Sequence, residues 1–197
     1  MKRTLIAGIL GAVVAFIWSA IVHMCPFTGH LGLSMMNEKA EDAVLTALKS
    51  NLQQPGLYFL PGCDMSKELT KEQEAAWIAK CKAGPVGFLL YDPNGRNPMD
   101  MTQQLVVEFL ATLLCGLIAA FILASTVGSL RRRTVMVAMM GLFTWLAISV
   151  SQWNWYHFPF SFIALDAIDQ VIGWLLAGFL MAKMIKPVQA QPMVPSA

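Results

Sequence analysis

Four long runs of apolar residues punctuate the chain: Leu5 to Met24, Leu105 to Val127, Val135 to Gln152 and Phe162 to Met184. A helix rises about 1.5 Å per residue, so about 20 residues cross the roughly 30 Å of bilayer hydrocarbon. Each run therefore predicts one transmembrane helix. The gaps between them are unequal. Eighty residues, Cys25 to Gln104, separate the first two runs, the short turn Gly128 to Thr134 follows the second, and Trp153 to Ser161 joins the last two.

Within the 80-residue gap the pattern shortens. Ala40, Val44, Ala47 and Leu48 recur at helical spacing behind Glu38, Glu41 and Asp42, which predicts an amphipathic helix over 37–52. A second helix is expected after Thr70, whose hydroxyl can cap it with Gln73 three residues on, running through Trp77 to Lys82. Leu57 to Leu60 and Val86 to Tyr91 read as short strands, bracketed by Pro55-Gly56, Pro61-Gly62, Gly84-Pro85 and Asn94-Gly95. The expected fold class is an all-α transmembrane four-helix bundle with a small α+β extracytoplasmic loop domain between spans 1 and 2. Its parts are an anchor helix (1–24), the loop domain (25–104), three further spans (105–186) and a disordered cytoplasmic tail (187–197).

Composition sharpens this picture. The 197 residues are 56% hydrophobic and 13% charged, where a soluble domain keeps about a quarter charged. That excludes a soluble enzyme and a disordered chain. The net charge of +2, with no basic patch interleaved with aromatics, excludes a nucleic-acid partner.

The position of the charges gives an orientation. The loop holds 16 of the 26 charged residues. Of the other ten, the seven basic ones are Lys2, Arg3, Arg131, Arg132, Arg133, Lys183 and Lys186, and all fall where a model with both termini inside places the cytoplasm. The remaining three, Glu108, Asp166 and Asp169, are acids within spans, toward the opposite face. Met1 to Thr4 could open a signal peptide, but the apolar run is long and lacks a clean small-x-small site, so an uncleaved anchor is expected.

Small and polar residues form a stripe on each span, where bundle contacts form in lipid. The stripes are Gly8, Ala12, Ala15, Ser19 and His23; Gln104, Glu108, Ala111 with Thr112, Cys115 and Ala119; a weaker Gly141, Thr144, Ile148, Ser151 and Gln152; and Asp166, Asp169, Gln170, Gly173 and Ala177. They predict one closed bundle and offer faces for a protein partner or homo-oligomer beside the lipid bilayer.

His23, Glu108, Asp166, Asp169 and Gln170 gather on one side as a candidate intramembrane polar site. One reading is a cation, proton or metal site, since carboxylates with imidazole suit a divalent ion. The other is structural, with His23 paired to an acid and Gln170 completing the hydrogen bonds. No metal-ligand motif favours the first, and no cofactor is expected. Cys63 and Cys81 are a candidate disulfide that would stabilise the thin loop domain by about 3 kcal/mol in an oxidising compartment, free thiols being the alternative. Trp153, Trp155, Tyr156 and Phe158 read as an interfacial aromatic belt, a ligand pocket being the alternative, and Arg131 to Arg133 read as an orientation signal that could also meet anionic lipid heads.

Phe16-Ile17-Trp18, the run Gly56 to Gly62, the run Trp153 to Pro159 and the run Asp169 to Trp174 resemble a family of small four-span bacterial membrane proteins with no assigned activity. The resemblance implies a bacterial inner membrane and a periplasmic loop. Quinone-coupled disulfide oxidases share the four-span layout but imply a Cys-x-x-Cys that this chain lacks, and claudin-like proteins share only the large first loop. The expected function is non-enzymatic, a structural or partner-binding component presenting its loop domain. The alternatives are a small oligomeric cation or proton transporter or channel-like protein using the intramembrane acids, and a membrane thiol-redox protein.

Overall fold

The computed structural model describes residues 1–188. Among them the order is α1 (Lys2–Met24), α2 (Glu38–Asn51), β1 (Gly56–Leu60), α3 (Lys71–Ala83), β2 (Gly87–Tyr91), α4 (Thr102–Ala124), α5 (Leu130–Tyr156) and α6 (Phe160–Met184). The chain forms two compact units, Met1–Leu33 with the chain from Met99 on, and Ser34–Pro98. The second lies inside the expected 25–104 interval.

In the first unit, α1, α4, α5 and α6 are each long and apolar enough to cross a membrane. Their outer surfaces carry large apolar side chains, among them Leu114, Phe121 and Leu146, which hydrocarbon accepts without cost and water would not. Their contact faces are built from small residues instead. A Cβ on Gly116 would stand 2.7 Å from the Gly8 carbonyl oxygen and 2.8 Å from Ala12 Cβ, so α1 and α4 approach almost backbone to backbone. Gly178 lets α6 seat Val137 of α5, and Gly141 lies directly against the Gln170 carbonyl. Close approach of this kind is how helices associate where no hydrophobic effect separates them from solvent.

The closed bundle expected from the four stripes is corrected to an open arc. α1 packs against α4 and α6, and α6 packs against α5, while α4 and α5 scarcely meet. The reason lies in α4. Its buried face is Gly116, Ala119, Ala120 and Leu123, rotated from the expected stripe, of which only Ala119 is buried. α5 likewise packs through Thr134, Val137, Ala138, Gly141 and Ser149 rather than through Thr144, Ile148 and Ser151.

The helix ends also differ from expectation. α5 continues through Trp153–Tyr156 and stops at His157, which takes the left-handed conformation (φ 58°) while the Phe158 amide bonds back to Gln152. This closure leaves only His157, Phe158 and Pro159 before α6. At the other end Ser129 caps α5, so Arg131–Arg133 form its first turn rather than a loop. The expected disordered tail lies, from residue 189 on, outside the described residues; before it, the Val188 amide still donates to the Thr126 carbonyl at 3.2 Å.

The second unit follows its sequence pattern closely. Asn37 caps α2, and Thr70 and Gln73 form the reciprocal capping box of α3. β1 and β2 pair antiparallel, with Leu57 opposite Leu90 and Phe59 opposite Phe88. Alternation puts Tyr58, Leu89 and Tyr91 on the half-buried face and those four residues on an exposed one. Trp77 donates to the Pro61 carbonyl and Tyr91 to the Leu52 carbonyl, tying α3 and the end of α2 to the sheet segments. No residue from Ser34 to Pro98 is fully buried.

Candidate functional site

A cleft of about 800 Å³ occupies the gap left between α4 and α5. α4 contributes Glu108, Thr112, Cys115 and Ile122, α5 contributes Met136, Met139 and Phe143, and α1 and α6 form the floor with Ser19, Asp169, Gln170 and Trp174. Three contacts set the level of these residues: Phe16 against Phe109 across α1 and α4, Ser19 against Asp169 across α1 and α6, and Gly141 against Gln170 across α5 and α6. Ser19, Glu108, Asp169 and Gln170 therefore share one end of the cleft. The other end is Ile118, Ile122, Met136 and Met139.

Asp169 is the buried acid of this end, 6% exposed. Its Oδ2 accepts a hydrogen bond from Ser19 Oγ at 3.1 Å and lies 3.4 Å from His23 Nε2. A carboxylate in so apolar a setting requires such partners, because each missing bond leaves a charge without solvation. Ser19 and His23 lie four residues apart on α1, one turn, which lets both reach the same acid. Both partners share Oδ2, so Oδ1 takes no protein donor among the described residues.

The five expected site residues thus separate. Glu108, Asp169 and Gln170 line the cleft, and His23 joins them through Asp169. Asp166 turns the other way and accepts from the Ser149 hydroxyl of α5. Three residues of helix separate the α6 acids by only about 60° around the axis, and what draws them apart is that their serine partners, Ser149 and Ser19, lie on different neighbouring helices. Among the described residues no three His, Cys, Asp or Glu side chains form a metal-binding group.

Cys63 and Cys81 are both half-buried, and no bridge joins them in this structure. Trp153, Trp155 and Tyr156 sit in the last turn of α5 and Phe158 in the turn beyond it. Trp153 packs edge-on against Phe160, Phe158 lies against Phe162, and Trp155 stays exposed.

A second polar centre escaped the sequence reading. Arg133, expected to mark orientation, is 1% exposed. Its Nη1 donates to the carbonyls of Ile185 at 2.7 Å and Ala182 at 3.3 Å, its Nη2 to the carbonyl of Leu123 at 3.0 Å, and its Nε to Thr126 Oγ1 at 3.4 Å. Those carbonyls belong to the C-terminal ends of α4 and α6, which carry the negative end of the helix dipole, and the Leu123 carbonyl accepts from the Thr126 amide and hydroxyl as well. One guanidinium, with its fork of donors, closes both helices at once. Nothing distinguishes Arg133 from Arg131 or Arg132 in sequence except its phase on α5, one residue before the buried Thr134 and four before Val137.

Four long apolar helices point to a multi-pass membrane protein. No protein-family model matches the chain, and neither a curated protein nor a solved structure matches it.

Proposed function

We propose that this chain is a non-enzymatic multi-pass protein of the bacterial inner membrane, with cytoplasmic termini and residues 25–104 in the periplasm, which binds an amphiphilic ligand from within the bilayer. The orientation rests on the seven basic residues outside the loop. The observation that carries the binding reading is the cleft. It lies between two helices that scarcely meet, its volume falls within the range of small-molecule sites, and its polar groups are confined to one end. An amphiphile matches that division, tail against Ile122 and Met136, polar head toward Asp169. The methionines of the α5 wall are flexible and polarisable, which suits an adaptable apolar surface. The periplasmic unit is the part of the chain that a soluble partner would meet.

The test is to fill the cleft. Ala111→Trp places a large side chain on the α4 wall at an exposed position. Native mass spectrometry of protein released from lipid nanodiscs should show a bound amphiphile on the parent chain that the variant has lost. An equal occupancy of both, or none on either, refutes the reading.

A second reading, cation or proton movement along the cleft in an oligomer, is supported by Glu108 and Asp169 lining the same space. It predicts ion flux in proteoliposomes that Glu108→Gln and Asp169→Asn abolish. Full flux in both variants refutes it.

A further inference from the structure

The charges around the cleft select among amphiphiles. Two carboxylates, Glu108 and Asp169, line it, and no lysine or arginine does. The basic residue nearest to it is His23, which approaches Asp169 from the α1 side at an oxygen already shared with Ser19. Arg133 cannot compensate, because its donors are committed to the carbonyls of Leu123, Ala182 and Ile185. An anionic head placed here would face two acids across an apolar space of low dielectric, where like charges repel strongly. A cationic head gains the attraction that the anionic one loses. It also supplies a partner for Glu108, an exposed acid and the one charged residue of α4, and for the unpartnered Oδ1 of Asp169.

The remaining lining completes the match. Phe143 and Trp174 present aromatic surface to the cleft, and aromatic faces attract organic cations through their quadrupoles. The walls toward Ile118, Ile122 and Met136 offer only apolar contact, so a small hydrated ion would lose its water there without replacement. We infer that the cleft between α4 and α5 is a binding site for lipophilic organic cations, with Glu108 and Asp169 as counter-charges and Trp174 and Phe143 against the apolar body. This rests on the proposed amphiphile binding and adds the sign of charge to it.

Tetraphenylphosphonium and tetraphenylborate form the decisive pair of probes, since they match in size and shape and differ in sign. Binding of each to the full chain in zwitterionic nanodiscs is measured by equilibrium dialysis against empty nanodiscs. Expected are saturable binding of the phosphonium, at least tenfold weaker binding of the borate, and a tenfold weakening of phosphonium affinity in Glu108→Gln. That variant is chosen because Glu108 is exposed and makes no hydrogen bond that its loss would disrupt, whereas Asp169→Asn touches the Ser19 and His23 contacts. Phosphonium should also protect Cys115, which lines the cleft, from alkylation. Equal binding of both ions, or phosphonium binding unchanged in Glu108→Gln and Ala111→Trp, overturns the cation assignment. If neither probe binds while mass spectrometry still shows an amphiphile displaced by Ala111→Trp, the cation assignment fails and amphiphile binding stands. If mass spectrometry shows no such amphiphile and neither probe binds, both fail.

Discussion

Arg133 and Asp169 are each almost fully buried in the same helical unit, yet every nitrogen of the one is hydrogen-bonded and one carboxylate oxygen of the other is not. Arg133 directs its guanidinium to three main-chain carbonyls and a threonine hydroxyl at the C-terminal ends of α4 and α6. Asp169 receives both of its contacts on one oxygen and borders an open cleft. A charge that completes its neighbours' hydrogen bonding is part of the frame, and a charge left with spare capacity beside a cavity is available to a ligand. The difference teaches that burial alone does not sort structural from functional charges; the count of satisfied positions does.

The largest expected effect follows from breaking the saturated centre. Arg133→Met leaves the carbonyls of Ala182 and Ile185 without donors, at about 1–3 kcal/mol for each group, and should cost about 2–6 kcal/mol in all, while the Leu123 carbonyl keeps the Thr126 amide and hydroxyl. Thermal unfolding in detergent would show it, and Arg133→Lys, with one ammonium for the fork, should recover only part. An unchanged melting temperature for Arg133→Met would mean that the clamp holds nothing together.

Next in size is a contrast between the packed seam and the open one. Gly116→Ala forces α1 and α4 apart against the Gly8 carbonyl and should cost about 1–3 kcal/mol. Ala111→Trp adds far more volume on the cleft side of the same helix and should change stability by only about 0.5 kcal/mol. If the tryptophan proves as destabilising as the alanine, the gap between α4 and α5 is not a real opening.

Removing one partner of the unsaturated acid should matter less. Ser19→Ala takes away a hydrogen bond to a carboxylate and should cost about 1–2 kcal/mol, with His23 left to hold Asp169. A cost matching that of Arg133→Met would place Asp169 with the frame after all.

The smallest effect belongs to an acid on the periphery of the second unit. Ser66, through its hydroxyl and amide, holds the Asp64 carboxyl below its ordinary value. A depressed folded pKa contributes stability above the unfolded value, and that contribution is lost as pH falls through the folded one, below about pH 4. Carboxyl chemical shifts followed by NMR should show the lowered midpoint, and Ser66→Ala should move it back up.

The comparison also separates what could be read from sequence from what could not. The number of long helices, the Thr70–Gln73 cap of α3 and the positions of α2, β1 and β2 were legible because each depends on local periodicity or on partners a few residues apart, whereas the pairing of β1 with β2 joins segments far apart in the chain. The Asp169 contacts with α1 were half legible: His23 was expected to pair with an acid, and Ser19 stood on the same stripe. The α4 contact face was not legible. Its apolar run is small-residued on two sides, and only the fit of Gly8 and Ala12 decides that Gly116 rather than Cys115 turns inward.

The sequence by itself determined four crossing-length helices, a charged segment between the first two, and a small unit of two helices and two strands. Length, hydropathy and turn chemistry are properties of contiguous residues and need no fold to express them. Only the tertiary structure decided that the arc stays open between α4 and α5, that Asp166 and Asp169 part company, and that Arg133 closes two helices it does not belong to. Those outcomes depend on how side chains from distant segments fill or fail to fill the space between backbones. No window along the chain contains that information.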